Sequence, residues 1–146
     1  MTANVSHVPA VPARRRVLIA SWIAQFVAAG ILIQTLFFKF TAAEESVLLF
    51  SQLGVEPWGR LASGVIELGA SLLLLLPATA AIGGVLAANV MIGAILSHIF
   101  VLGINFNGDG GALFMMAVVV FAASLAVAWI RRADLPIVGS RFDGTK

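Results

Sequence analysis

Between Arg60 and Asp109 lie 48 residues (61 to 108) whose only ionisable side chains are Glu67 and His98. Leu72 to Leu76 and Pro77 close one apolar run, and a second begins within three residues. A bilayer core takes about 20 residues of helix, so this stretch reads as two membrane-spanning helices joined by a very short turn. It puts a carboxyl group near the middle of the first of them. Placing an acidic side chain there costs roughly 2.5–3.5 kcal/mol even on the lenient insertion scales, which makes Glu67 a candidate functional group.

Two further charge-free windows complete the set. Val17 to Phe38 runs for 22 residues between Arg16 and Lys39, and Gly110 to Ile130 for 21 between Asp109 and Arg131. The expected fold is therefore all-α, a polytopic four-transmembrane-helix bundle with spans at about 17–38, 58–77, 80–103 and 110–130. With 60% hydrophobic and 11% charged residues, an ordinary soluble domain is excluded. The expected organisation is a disordered cytoplasmic tail over 1–13, a membrane domain over 14–135 and a second tail, containing Pro136, over 136–146.

Orientation follows from the basic residues. Arg14, Arg15, Arg16, Arg131, Arg132, Arg141 and Lys146 fall on one side, whereas only Lys39 and Arg60 fall on the other. Both termini are expected in the cytoplasm of a bacterial inner membrane. The Arg14–Arg16 run precedes an apolar stretch too long for a signal peptide, and a signal anchor is the better reading. Nucleic acid is not an expected partner despite a net charge of +2, because the basic residues sit at the ends of apolar runs. The chain has no cysteine, which removes disulfide shuttling and thiolate metal chemistry.

Along the chain, His7 has no expected role. Gln25 and Gln34 are nine residues apart and so lie on opposite faces of the first helix. Trp22, Trp58 and Trp129 near helix ends fit interfacial anchors. Thr41 and Glu44 have the spacing of a capping box, followed by a short helix over about 42–53, with Gly54 as its C-terminal cap. That helix is too short to span and is expected in the interface or over the outer mouth of the bundle. Pro57 is expected in the first turn of the next helix.

On the second span Arg60, Ser63, Gly64, Glu67 and Ser71 recur at three- and four-residue steps and form one polar stripe. The stripe should face the bundle interior. Glu67 then serves either as neutral, hydrogen-bonded packing glue or as a ligand- or proton-handling group. The third span is rich in small residues, Gly83, Gly84, Ala87, Ala88, Gly93, Ala94 and Ser97, which permit close helix approach. Counting 1.5 Å per residue, His98 lies about 7–8 Å and Glu67 about 13 Å below the outer end, so a Glu67–His98 pair is one expectation and a merely hydrogen-bonded His98 the other.

Asn105 to Gly110 superficially fits the start of a calcium loop, but the twelfth position, which requires a bidentate glutamate, is Met116. The better reading is a glycine-rich turn in which Asp109 helps to cap the last helix. Met115 and Met116 read as lipid-facing or core filling. No metal site is expected, and a bis-histidine haem has only His98 to draw on within the spans.

With the helices placed, the chain resembles the DoxX family of small four-helix bacterial membrane proteins. Phe38-Lys39-Phe40 closing the first helix, Leu53 to Arg60, Gly64 to Leu68 with the leucine run to Pro77, Ser97-His98 and Gly108 to Gly111 carry the resemblance, which extends from about Val17 to Pro136. It implies the fold, the membrane location and an association with quinone-linked oxidoreductase complexes. It carries over no catalytic residues, so the catalytic set is unknown.

Three functions follow. The first is a non-autonomous membrane subunit of a redox-linked complex, closer to an oxidoreductase-associated subunit than to an enzyme by itself. It would bind a quinone or another amphiphile through Glu67, His98, Lys39, Arg60, Ser63, Ser97 and Asp109. No cofactor is built into the chain. The partners would be the lipid bilayer, the amphiphile, and a protein or further copies of the chain. The alternatives are a structural or assembly membrane protein and an oligomeric small-solute transporter.

Overall fold

The computed structural model describes residues 13–134, and the expectations for His7 and both tails lie outside them. The described residues are helical, with five α-helices and no strand. These are α1 (Ala13–Phe40), α2 (Glu44–Gln52), α3 (Trp58–Leu75), α4 (Ala80–Ser97) and α5 (Ala112–Ile130). Four are long and apolar enough to cross a membrane, α1, α3, α4 with its continuation to Leu102, and α5. In each, only 22–33% of the most apolar 18-residue window is buried inside the protein. Length and composition of this kind are those of a membrane protein's helices.

α1 packs on α3 and α5, α3 on α4, and α4 on α5, which closes a four-helix ring. The core is small-grained. Ala28, Ala29, Leu32, Ala70, Leu74, Ala87 and Val120 are all buried. Two adjacent glycines on α4 set the helix spacing. A Cβ on Gly83 would stand 2.5 Å from the backbone nitrogen of Leu74, and one on Gly84 would stand 2.7 Å from the carbonyl oxygen of Ser124. The expected close approach is therefore made on both sides of α4, at Gly83 and Gly84. It does not extend to Gly93, where a Cβ would meet nothing within 4 Å.

Local chemistry explains where the elements stop. Leu76, before Pro77, is extended (φ −95°, ψ 120°) and ends α3 at Leu75, two residues short of expectation. The Thr79 hydroxyl donates to the Leu73 carbonyl (3.0 Å) and closes the turn into α4. Beyond α2, the Gly54 N–H donates to the Ser51 carbonyl (2.9 Å) and the Val55 N–H to the Phe50 carbonyl (3.0 Å). With Gly54 at φ +73°, these two bonds form a complete Schellman motif. The capping box does not form. Thr41 Oγ1 donates to the Phe37 carbonyl (2.6 Å), finishing α1 instead of starting α2, and Ala43 stands at the N-cap of α2 without a side-chain cap. Pro57 lies just ahead of α3, at its N-cap.

One end of the bundle is fastened by Arg131. Its Nε donates to Ser21 Oγ (3.0 Å), its Nη1 to the Pro77 carbonyl (3.3 Å), and its guanidinium lies 5.6 Å from the centre of the Trp22 ring. The start of α1, the α3–α4 turn and the end of α5 thus meet at one end. α2 and the 98–111 segment occupy the other. Trp58 and Trp129 are largely exposed, at 78% and 70%.

Candidate functional site

The α2 end of the bundle holds a partly open cavity of about 630 Å³. Its floor is apolar, with Leu32, Met91, Ala117 and Val120 among the residues that line it. Its polar groups come from five directions. Thr35 and Lys39 enter from α1, Ser63 and Glu67 from α3, Ser97 and His98 from α4 and its extension, and Asp109 from the turn before α5. Glu45 and Ser46 contribute from α2, together with Leu49 and Phe50. The short helix therefore lies over this cavity.

Glu67 is buried and fully engaged. Lys39 Nζ stands 2.6 and 2.5 Å from its two carboxylate oxygens, and the Thr35 hydroxyl lies between Oε2 (2.9 Å) and the Leu32 carbonyl (2.7 Å). One turn further along α3, Ser71 Oγ donates to the Glu67 carbonyl (2.7 Å). A one-turn step along α1 puts Thr35 and Lys39 on the same face, and α3 runs alongside that face. The lysine side chain is 13% exposed and the glutamate side chain 4%. The pair is thus a largely dry ion pair, whose members depend on each other for charge compensation.

Arg60 stands behind this pair and does not line the cavity. Its guanidinium reaches both carboxylate oxygens of Glu56, with Nε at 2.9 and 3.0 Å and Nη2 at 2.7 Å from Oε1. Its Nη1 donates to the Lys39 carbonyl. The guanidinium therefore fixes the end of α1 from which Lys39 reaches inward. Phe40 completes this junction, because its ring lies over Gly64, where a Cβ would stand only 3.0 Å from it.

On the opposite wall the α-helix gives way to a π-helical turn over His98–Leu102. The Gly103 N–H donates to the His98 carbonyl (2.9 Å), and His98 Nδ1 lies 2.9 Å from the Gly103 carbonyl oxygen. Gly103 has φ 81° and ψ 160°, a region essentially reserved for glycine. The imidazole also packs edge-on against Phe114, with ring centres 6.0 Å apart. Backbone, glycine and aromatic ring together hold the buried His98 in one orientation.

Asp109 accepts from the Gly111 N–H (2.8 Å) and, with its other oxygen, from the Leu113 N–H (2.9 Å). It supplies the expected capping of α5. Burial is the largest single influence on its carboxyl and pushes it up. The Leu113 and Gly111 N–H groups lead the influences that outweigh it and hold the carboxyl below the ordinary carboxylate range. Asn105 Oδ1 meanwhile accepts from the Gly110 N–H (2.9 Å), so this turn is knitted by its own backbone.

Every candidate except Arg60 thus lines one cavity, and the polar stripe of α3 faces inward as expected. Glu67 and His98 share the cavity but are not bonded to each other, so of the two expectations for His98 the structure has the merely hydrogen-bonded one. Lys39 and Thr35 take the carboxylate, and Gly103 takes the imidazole. Ser63 and Ser97 donate to backbone carbonyls of their own helices, Arg60 (3.0 Å) and Gly93 (2.8 Å). The residues not anticipated are Thr35, Glu45, Glu56 and Gly103. Thr35 had a signal, its i,i+4 relation to Lys39, while the sequence reading of α1 followed Gln25 and Gln34. Gln25 is buried and donates to Ser21 Oγ (2.7 Å), far along α1 from this site. No protein-family model, curated protein or solved structure matches the chain.

Proposed function

We propose that this chain is a DoxX-like polytopic membrane protein that holds an amphiphilic small molecule of quinone type in the cavity under α2. It acts as a membrane subunit of a redox-linked assembly, with both termini in the cytoplasm of a bacterial inner membrane and α2 at the outer interface. The observation that carries this reading is the cavity itself. Its volume is within the roughly 300–1,000 Å³ range of small-molecule sites, its floor is apolar, and its polar groups stand on facing walls. A ring-shaped head fits between the Lys39–Glu67 pair and His98, with an apolar tail leaving along the bundle.

A transporter is the weaker reading. Ala28, Leu32, Ala70, Leu74 and Val120, each at most 1% exposed, form an apolar layer below the cavity. That layer separates it from the Ser21–Gln25–Arg131 cluster at the other end, which favours a dead-end pocket over a through-path. An assembly role draws on a different observation, the complete internal pairing of Glu67, which is what a helix clasp requires.

Mass spectrometry of the extract from gently purified protein separates these readings. Gly93 lines the cavity and has open space where its Cβ would stand, so Gly93→Phe fills the cavity without touching the ion pair. A ring-headed amphiphile should co-purify with the native chain and be lost from Gly93→Phe. Identical bulk lipids in both samples would leave the clasp reading in its place.

A further inference from the structure

The two nitrogens of His98 have different fates. Nδ1 faces the Gly103 carbonyl oxygen at 2.9 Å. A carbonyl can only accept, so in neutral imidazole Nδ1 carries the proton and Nε2 keeps the lone pair. Among the described residues Nε2 has no hydrogen-bond partner, on a ring that is 4% exposed and lines the cavity. It opens on the cavity, where a bound head group can supply the donor that the protein does not. On the facing wall Lys39 gives two of its three N–H groups to Glu67, and the Thr35 hydroxyl lies between Glu67 and the Leu32 carbonyl.

From this we infer that His98 Nε2 is the acceptor for a hydroxyl on the bound head group. At this nitrogen the cavity therefore prefers heads that carry an O–H donor, such as alkylphenols and hydroquinones, over the same heads blocked as ethers. This rests on the amphiphile-binding reading and gives it a direction. In a quinone–hydroquinone couple, it is the reduced, hydroxyl-bearing partner whose O–H this nitrogen accepts. Gly103 is a positioning residue in this scheme, since its carbonyl decides which nitrogen stays bare.

The test uses a matched pair of probes, a 4-alkylphenol and its methyl ether with the same tail, titrated at about pH 8.5, where an ordinary imidazole is neutral. The probes bind the native chain in detergent or nanodiscs. A hydrogen bond contributing about 1–1.5 kcal/mol corresponds to about a tenfold preference for the phenol. In His98→Phe, which keeps an aromatic ring against Phe114, that preference should fall to about onefold while the ether still binds. Equal binding of both probes to the native chain would overturn the inference and leave the amphiphile reading standing. Binding of neither would remove both. A second measurement does not depend on a variant of His98 folding. The sequence has two histidines, so nitrogen NMR of His7→Gln reports His98 alone. The proton should sit on Nδ1, and only the phenol should shift the Nε2 signal. A proton found on Nε2 in the free chain would overturn the assignment.

Discussion

Lys39 and Glu67 form the contact on which the α2 end of the bundle turns. Removing one partner of a buried ion pair leaves the other uncompensated, at roughly 3–5 kcal/mol, whereas replacing both with apolar side chains is often nearly neutral. Glu67→Gln should therefore destabilise the protein by about 3 kcal/mol or more in thermal or denaturant unfolding. Lys39→Met combined with Glu67→Met should recover most of that loss. A Glu67→Gln chain as stable as native would mean that the carboxylate carries no charge in the fold. Tolerance of Glu67→Gln cannot separate packing from proton chemistry, because its stability effect runs through Lys39. At His98, Gly103→Ala should cost about 1–3 kcal/mol from φ 81° alone, although a Cβ there meets nothing within 4 Å. Nitrogen NMR on the same variant should show His98 losing its single tautomer. That these residues surround one cavity was partly legible in the sequence, from the polar stripe on α3 and the matched depths of Glu67 and His98. Which of them pair was not. Helical periodicity gives the face of a side chain, but the register between two antiparallel helices decides whether Glu67 meets Lys39 or His98.

The helices themselves were the most legible level, because membrane-length windows without charge leave few alternatives. Their ends were less so. The α3 stop at Leu75 and the start of α5 at Ala112 are set by Pro77 and by Gly110 and Gly111 (φ +66° and +85°), local effects that hydropathy smooths over. The Thr41–Glu44 spacing misled because the Thr41 hydroxyl had a nearer acceptor in the Phe37 carbonyl. The small residues of α4 are unequal, and substitution exposes the difference. Gly84→Ala should lower stability by about 1–3 kcal/mol, since the new methyl meets the backbone of Ser124 and Ala128 and overpacks a rigid contact. Gly93→Ala should be neutral or stabilise by up to about 1 kcal/mol through helix propensity. Thermal unfolding in one detergent compares the two directly. Equal effects would contradict the packing described for α4.

At the scale of the whole molecule, an even number of long helices and the Arg131 staple put both ends of the described chain on one side. The cytoplasmic location proposed for that side draws on the excess of arginine there. The chain lacks cysteine, so single introduced thiols report sidedness without background. Ser51→Cys and Asn107→Cys should react with a membrane-impermeant maleimide on intact cells, and Ala133→Cys only after permeabilisation. The reverse pattern would invert the orientation and place the cavity on the inner face.

The central claim is that the cavity under α2 holds an amphiphile, and photolabelling tests it most directly. Met116 lines the cavity, whereas its neighbour Met115 is 56% exposed on the apolar surface, as is Phe100 at 77%. A diazirine-bearing alkylphenol incubated with native protein in nanodiscs should label Met116, Phe50 and Ser97, and an excess of unlabelled alkylphenol should suppress that labelling. Labelling confined to Met115, Phe100 and other outward residues, and insensitive to the competitor, would mean that the molecule partitions into lipid and that the cavity is not its site.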